Sequence, residues 1–203
     1  MISAAAKLYI GMLVAFQVQY WPSAYLPSFM ASMVEAESRW NPNAQLKSDR
    51  EWGTSFGQWT TAYNKDGSVR FNAWADVKKA HPDELKGWAD RFEPAYNLKA
   101  VVLSNRSTCK AFEGLGATPD DVLRMCVSAH NGGAGSVRQD RLKCRMTPGC
   151  DPTRWRGNVE ATSYKSSQPS QYGRSYLKIN RDYVVRVVDE YRPKYDPYFR
   201  SAQ

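Results

Sequence analysis

Residues 26–59 read LPSFMASMVEAESRWNPNAQLKSDREWGTSFGQW. Pro27 suits a first helical turn, because its φ is already fixed and its missing N–H has no helical partner to lose. Phe29, Met30, Met33 and Val34 then recur at helical spacing and mark one buried face. Glu37 falls three residues after Val34 and four after Met33, so it extends that stripe. Glu35 points roughly 200° around the helix from Glu37 and reads as a solvated charge. Pro42 disfavours the α conformation at Asn41, so the helix has to stop there. Glu37 is therefore an acid carried on the inward side of a helix end. Half-burial disfavours its charged form and raises its pKa, which suits a general acid near neutral pH. The plainer reading is that Glu37 ends the helix and pairs with an arginine such as Arg39.

Downstream, residues 41–58 form a polar stretch punctuated by Gly53 and Gly57, expected as a loop. Trp59–Tyr63 and Val69–Phe71 flank Asn64-Lys65-Asp66-Gly67-Ser68 and predict a small β-hairpin. Leu85, Trp88 and Phe92 keep helical spacing after Pro82, as do Tyr96, Ala100 and Leu103 after Pro94. Thr118-Pro119-Asp120-Asp121 opens a helix with a capping acid, and His130-Asn131-Gly132-Gly133 closes it. Residues 151–175 lack periodicity and predict a long surface loop. Asn180 is placed to cap a last helix, with Tyr183, Val184, Val187, Val188 and Tyr191 facing inward as far as Pro193. Upstream, Ile2–Gln19 is apolar around Lys7. It predicts a first core helix (residues 1–20), with an export or anchor segment as the alternative, since neither a preceding charge cluster nor a cleavage site is evident.

The chain has 203 residues, enough for a single domain with a real core. Its charge, 28 − 20 = +8, suits an anionic polymer or surface. No clustered basic arm or reading helix marks it for nucleic acid. Seven tryptophans supply core rings and candidate sugar-stacking platforms. Cys109, Cys126, Cys144 and Cys150 contain no C-x-x-C pair, and His81 and His130 are far apart, so no metal site is expected. Cys144 and Cys150 flank a Thr-Pro-Gly turn and could close a short loop. Cys109 and Cys126 could pair or remain core thiols; three pairings are open.

The order of motifs resembles the lysozyme-like soluble lytic transglycosylases, in the version carried by bacteriophages and prophages. The matching residues are Glu37-Ser38, Asn41-Pro42 with Ala44, Ser48, Gly53 and Gly57-Gln58. They continue with Phe92-Glu93-Pro94, then Ala129-His130-Asn131-Gly132-Gly133, and finally Tyr183-Val184. This resemblance implies an α+β, mostly helical, lysozyme-like fold with a β-hairpin beside an active-site cleft. It also implies cleavage of the β-1,4 bond of peptidoglycan by one glutamate, Glu37, acting first as acid and then as base. No cofactor is implied. Ser48, Gln58 and Asn131 match substrate-binding residues. His130 stands where the family has a tyrosine, and Tyr183 matches a tyrosine whose hydroxyl can reach the glutamate.

From the residues alone, Ser48 and Gln58 also read as loop stabilisers, His130 as a partner of its helix dipole, and Tyr183 as a core ring. Asp49 and Glu51 read as solvated charges, with one of them a candidate second carboxylate for a hydrolytic lysozyme. The expected setting is the bacterial periplasm and cell wall. There the chain would act as a monomer, a phage endolysin or virion lysin with weak contact to the anionic envelope. A non-catalytic wall-binding module is the competing class.

Overall fold

A computed structural model of the chain describes residues 1–165, 167–169 and 173–200. In chain order the elements begin with α1 (Ala4–Tyr20), α2 (Phe29–Ser38), β1 (Gln45–Lys47), β2 (Glu51–Thr54), β3 (Thr61–Tyr63) and β4 (Val69–Asn72). They continue with α3 (Ala73–Ala80), α4 (Pro94–Lys110), α5 (Pro119–Gly132), α6 (Ala134–Arg145) and a 3-10 turn (Val159–Ala161). The last are α7 (Tyr176–Val184), a π-helical segment (Val185–Tyr191) and α8 (Arg192–Arg200). The described residues are mixed, mostly helical, with an antiparallel sheet in the order β1-β2-β3-β4. The chain divides into two compact units: Met1–Ser104 together with the chain from Tyr191 onward, and Asn105–Glu190.

In the first unit α2 is the central helix, packed against α1 and α8. Every residue from Phe29 to Val34 is buried, so the apolar stripe read from the sequence is really a whole circumference. Pro27 lies just outside the helix, whose cap position is Ser28. The Ser28 hydroxyl donates to Asp196 of α8 rather than accepting a backbone bond of its own helix. The helix ends before Pro42 acts, because Arg39 (φ 53°) and Trp40 (φ 63°) both turn left-handed. In α1, Ala6, Ile10, Leu13 and Gln17 are buried, so the core-helix expectation holds for one face only.

The expected β3–β4 hairpin is present, with a bulge at Ala62/Tyr63. The expected loop 41–58 is not simply a loop, because β1 and β2 within it pair from Gln45↔Thr54 to Lys47↔Trp52. Nor do residues 82–93 form a helix. After α3 the chain runs through turns, with Gly87 at φ 82° and the Asp90 carboxylate accepting from the Phe92 N–H at 2.9 Å. Leu85 and Trp88 are nevertheless buried, which is the burial that their spacing signalled. Of the seven tryptophans, Trp40, Trp59, Trp88 and Trp155 are buried. Trp52 and Trp74 are half-buried and sandwich the Arg91 guanidinium at 4.8 and 4.6 Å, pinning the 82–93 turns to the sheet.

In the second unit α5 is the central helix, buried from Leu123 to Ala129. It opens on a full capping box, Thr118 with Asp121. Cys109 pairs with Cys126 and Cys144 with Cys150, which resolves the three open pairings. Helix α6 follows directly after Gly133 (φ 82°). Residues 151–175 are anchored rather than a plain surface loop. Trp155 and Val159 are fully buried, and the Ser163 hydroxyl donates to buried Asp140 at 2.7 Å. Residues 166 and 170–172 of that stretch lie outside the described residues.

Ser175, not Asn180, caps α7, accepting from the Lys178 N–H at 3.1 Å. Asn180 sits inside the helix and is buried. The helical run also does not stop at Pro193. The preceding π segment changes the hydrogen-bond register, and Pro193 then falls in the first turn of α8, where a missing N–H is tolerated.

Candidate functional site

Glu37 lies in the last turn of α2, where that central helix leaves the core. The chain is fully buried through Val34 and half-buried at Glu35, Ala36 and Glu37. Beyond the helix end the backbone is unusual. Arg39, Trp40, Ser55 and Gln58 are non-glycine residues with φ between 46° and 63°, and each such residue costs about 1–3 kcal/mol. The surrounding packing holds them in place. Trp40 meets Phe56 edge-on at 6.2 Å, and the Ser55 N–H donates to the Ala44 carbonyl at 2.8 Å. The loop Thr54–Trp59 is thereby fixed to the end of α2. Its far side is held by Trp59, whose Nε1 donates to Asn97 Oδ1 at 2.8 Å.

Gln58 is half-buried in this loop, and its Nε2 donates to the Ser55 carbonyl at 3.0 Å. Gly53 makes room for it: a Cβ there would stand 2.7 Å from Gln58 Oε1. Ser48 is exposed at the β1–β2 turn, and its hydroxyl accepts from the Arg50 and Glu51 N–H groups at 3.4 and 3.1 Å. Asp49 is exposed beside it, and Glu51 reaches Arg70 at 3.6 Å with both side chains largely open to solvent.

Glu35 is not the solvated charge its position suggested. Its carboxylate accepts from Lys194 Nζ at 2.6 Å and from the Tyr195 hydroxyl. That hydroxyl in turn accepts from Trp40 Nε1 at 2.8 Å. Burial, together with the Glu35 carboxylate, holds the Tyr195 phenol well above the usual tyrosine range, so it stays a donor. With Ser28 bonded to Asp196, α8 grips α2 at both ends, and the Glu37 turn is held from behind. Tyr195→Phe leaves buried Trp40 Nε1 without this acceptor. It is expected to lower unfolding free energy by about 1–3 kcal/mol, read from urea denaturation.

The remaining candidates belong to the second unit. His130 and Tyr183 stack with ring centroids 6.3 Å apart and planes 10° apart. Asn131 is exposed, and its Oδ1 accepts from Asn180 Nδ2 at 3.1 Å. That same Asn180 amide donates to the Ser128 carbonyl at 2.9 Å, and its Oδ1 accepts from the Ser128 hydroxyl at 2.8 Å. Asn180 therefore ties α7 to the end of α5, a role its expected position as a helix cap would not have revealed.

Burial pushes the His130 imidazole down to about 4, so at neutral pH it is uncharged. Between pH 6.5 and about 4 the unfolded chain binds a proton that the folded chain refuses, so His130 lowers stability as pH falls through this window. The loss amounts to about 3 kcal/mol at the acid end. Unfolding of His130→Asn measured against wild type from about pH 7 to 4 is expected to lack this component.

Sequence reasoning missed Ser55, Glu35, Tyr195 and Trp40 as parts of this frame. Left-handed backbone at a serine and a pairing over 160 residues leave no local mark. Among the described residues no group of three or more His, Cys, Asp or Glu side chains is arranged to hold a metal ion. No protein-family model matches the chain, and no curated protein matches it either.

Proposed function

We propose that this protein cleaves the glycan strands of bacterial peptidoglycan as a lytic transglycosylase with a lysozyme-like fold, Glu37 being its catalytic group. The observation that carries the reading is the placement of Glu37. It is a half-buried carboxyl on a rigid central helix, next to a loop held in strained conformations, in the order of motifs that resembles that family. The mostly helical frame with a small antiparallel sheet is in keeping with this fold.

In the proposed reaction Glu37 first protonates the glycosidic oxygen as the bond to the anomeric carbon breaks. Its carboxylate then removes the proton from the muramyl 6-hydroxyl, whose oxygen closes on the anomeric carbon to give a 1,6-anhydro ring. Gln58, in the loop fixed to the end of α2, is the proposed substrate contact of the first unit. For Asn131, His130 and Tyr183 of the second unit the support is the resemblance alone, and Tyr183 is buried, as a core ring would be. Ser48 is a weaker contact, since its hydroxyl already serves the β1–β2 turn. Exposed Asp49 and Arg70-paired Glu51 favour the single-glutamate route over a hydrolase with two carboxylates.

The proposed setting is the periplasm and cell wall, reached during a phage infection cycle, with the chain acting as a monomer. No helix among the described residues is long and apolar enough to cross a membrane. The test is turbidity loss of purified peptidoglycan sacculi. The wild-type chain is expected to clear them and to release soluble muropeptides. Binding to sacculi without release would instead support a wall-binding module and overturn the enzymatic reading.

A further inference from the structure

Helix α1 has two apolar faces, and the fold uses one. Ala6, Ile10, Leu13 and Gln17 are buried, while Leu8, Met12 and Val18 on the opposite side are 77%, 37% and 43% exposed. With Ala4, Gly11 and Ala15, also exposed, these residues fill an arc of about 120° in which Gln19, in the last turn, is the one polar residue. A surface helix ordinarily carries charges on such a face. Here the charges stand at its borders. Lys7 is exposed along one edge. Along the other, Lys99 Nζ lies 5.7 and 5.9 Å over the Phe16 and Tyr20 rings while donating to the Glu84 carbonyl at 3.1 Å. No Asp or Glu occurs before Glu35.

We propose that this face of α1 docks on the surface of an anionic phospholipid bilayer, lying along it with Leu8, Met12 and Val18 among the acyl chains and the two lysines at the headgroups. The pattern fits an interfacial helix: an apolar centre, lysines at its borders and no acid. Its length agrees, since 17 residues span about 25 Å, short of the roughly 30 Å of a hydrocarbon core. The net charge of +8 adds long-range attraction to an anionic surface. A second copy is a poorer occupant, because a two-fold pairing along the stripe would bring lysine edges together with no acid on the helix to neutralise them. Docking through α1 is independent of the chemistry proposed for Glu37.

The experiment is co-sedimentation of the full chain with vesicles of phosphatidylcholine, with and without phosphatidylglycerol. Wild type is expected to pellet with the phosphatidylglycerol vesicles, less so as salt rises. The double variant Leu8→Glu/Met12→Glu is expected to lose about tenfold or more in vesicle affinity. If that variant loses its circular-dichroism signal, Val18→Glu, at the far end of the same stripe, takes its place with the same expected direction. Equal pelleting of wild type and variant overturns the proposal. So does a wild type that stays in the supernatant, or one that forms a dimer by sedimentation velocity which the variant abolishes.

Discussion

Glu37→Gln is expected to slow sacculus clearance by about a hundredfold or more while leaving the fold intact. The amide keeps the size and planarity of the carboxyl but has no proton to give to a leaving oxygen and no basic site to take one back. Both steps of the proposed reaction pass through this group, so neither water nor a neighbouring residue should restore much of the rate. The substitution lies in the half-buried last turn of α2, outside the fully buried run from Phe29 to Val34, and leaves that run untouched. A loss of clearance accompanied by a large fall in stability would point to structure rather than chemistry. The two are separated by measuring both on one preparation.

The second large effect concerns stability. Asp140 is buried, and its carboxylate accepts from Arg181 Nη2 at 2.8 Å, Lys165 Nζ at 3.3 Å and the Ser163 hydroxyl at 2.7 Å. Arg181 also bonds the Glu160, Val159 and Thr162 carbonyls, so this group ties α6, α7 and the 151–165 stretch together. Burial holds Lys165 below the usual lysine range, and Asp140 is what draws it back. Asp140→Ala would leave two largely buried cations without their carboxylate. That is expected to cost about 3–5 kcal/mol and lower the thermal midpoint by roughly 10 °C or more. Lys165→Met, which removes one cation and keeps the Arg181 pair, should cost clearly less.

The features legible in the sequence were those with short-range causes. The Thr118–Asp121 capping box, the Val69 hairpin strand and the Glu37 helix each carry their signal within a few residues. What escaped depends on distant partners. Gln45-Leu46-Lys47 is too short and too exposed to carry a burial pattern, and becomes a strand by pairing with β2. Glu35 looked solvated because Lys194, the residue that neutralises it, lies 159 positions along the chain. The spacing of Leu85 and Trp88 reported burial correctly, but turns held by Gly87 and Asp90 reach the same burial without a helix. Pro193 misled because it falls in the first turn of α8, directly after the π segment, where a proline is tolerated. For the candidate site, the position of Glu37 on its helix was readable. The left-handed frame of Arg39, Trp40, Ser55 and Gln58 was not, because no side-chain pattern specifies it.

The proposed chemistry is tested most directly by mass spectrometry of the products released from purified murein. If Glu37 acts as acid and then as base on the sugar's own hydroxyl, the muramyl ends carry the 1,6-anhydro ring, lighter by one water than a reducing end. Reducing ends formed by the wild-type chain, with water added across the bond, would contradict that mechanism.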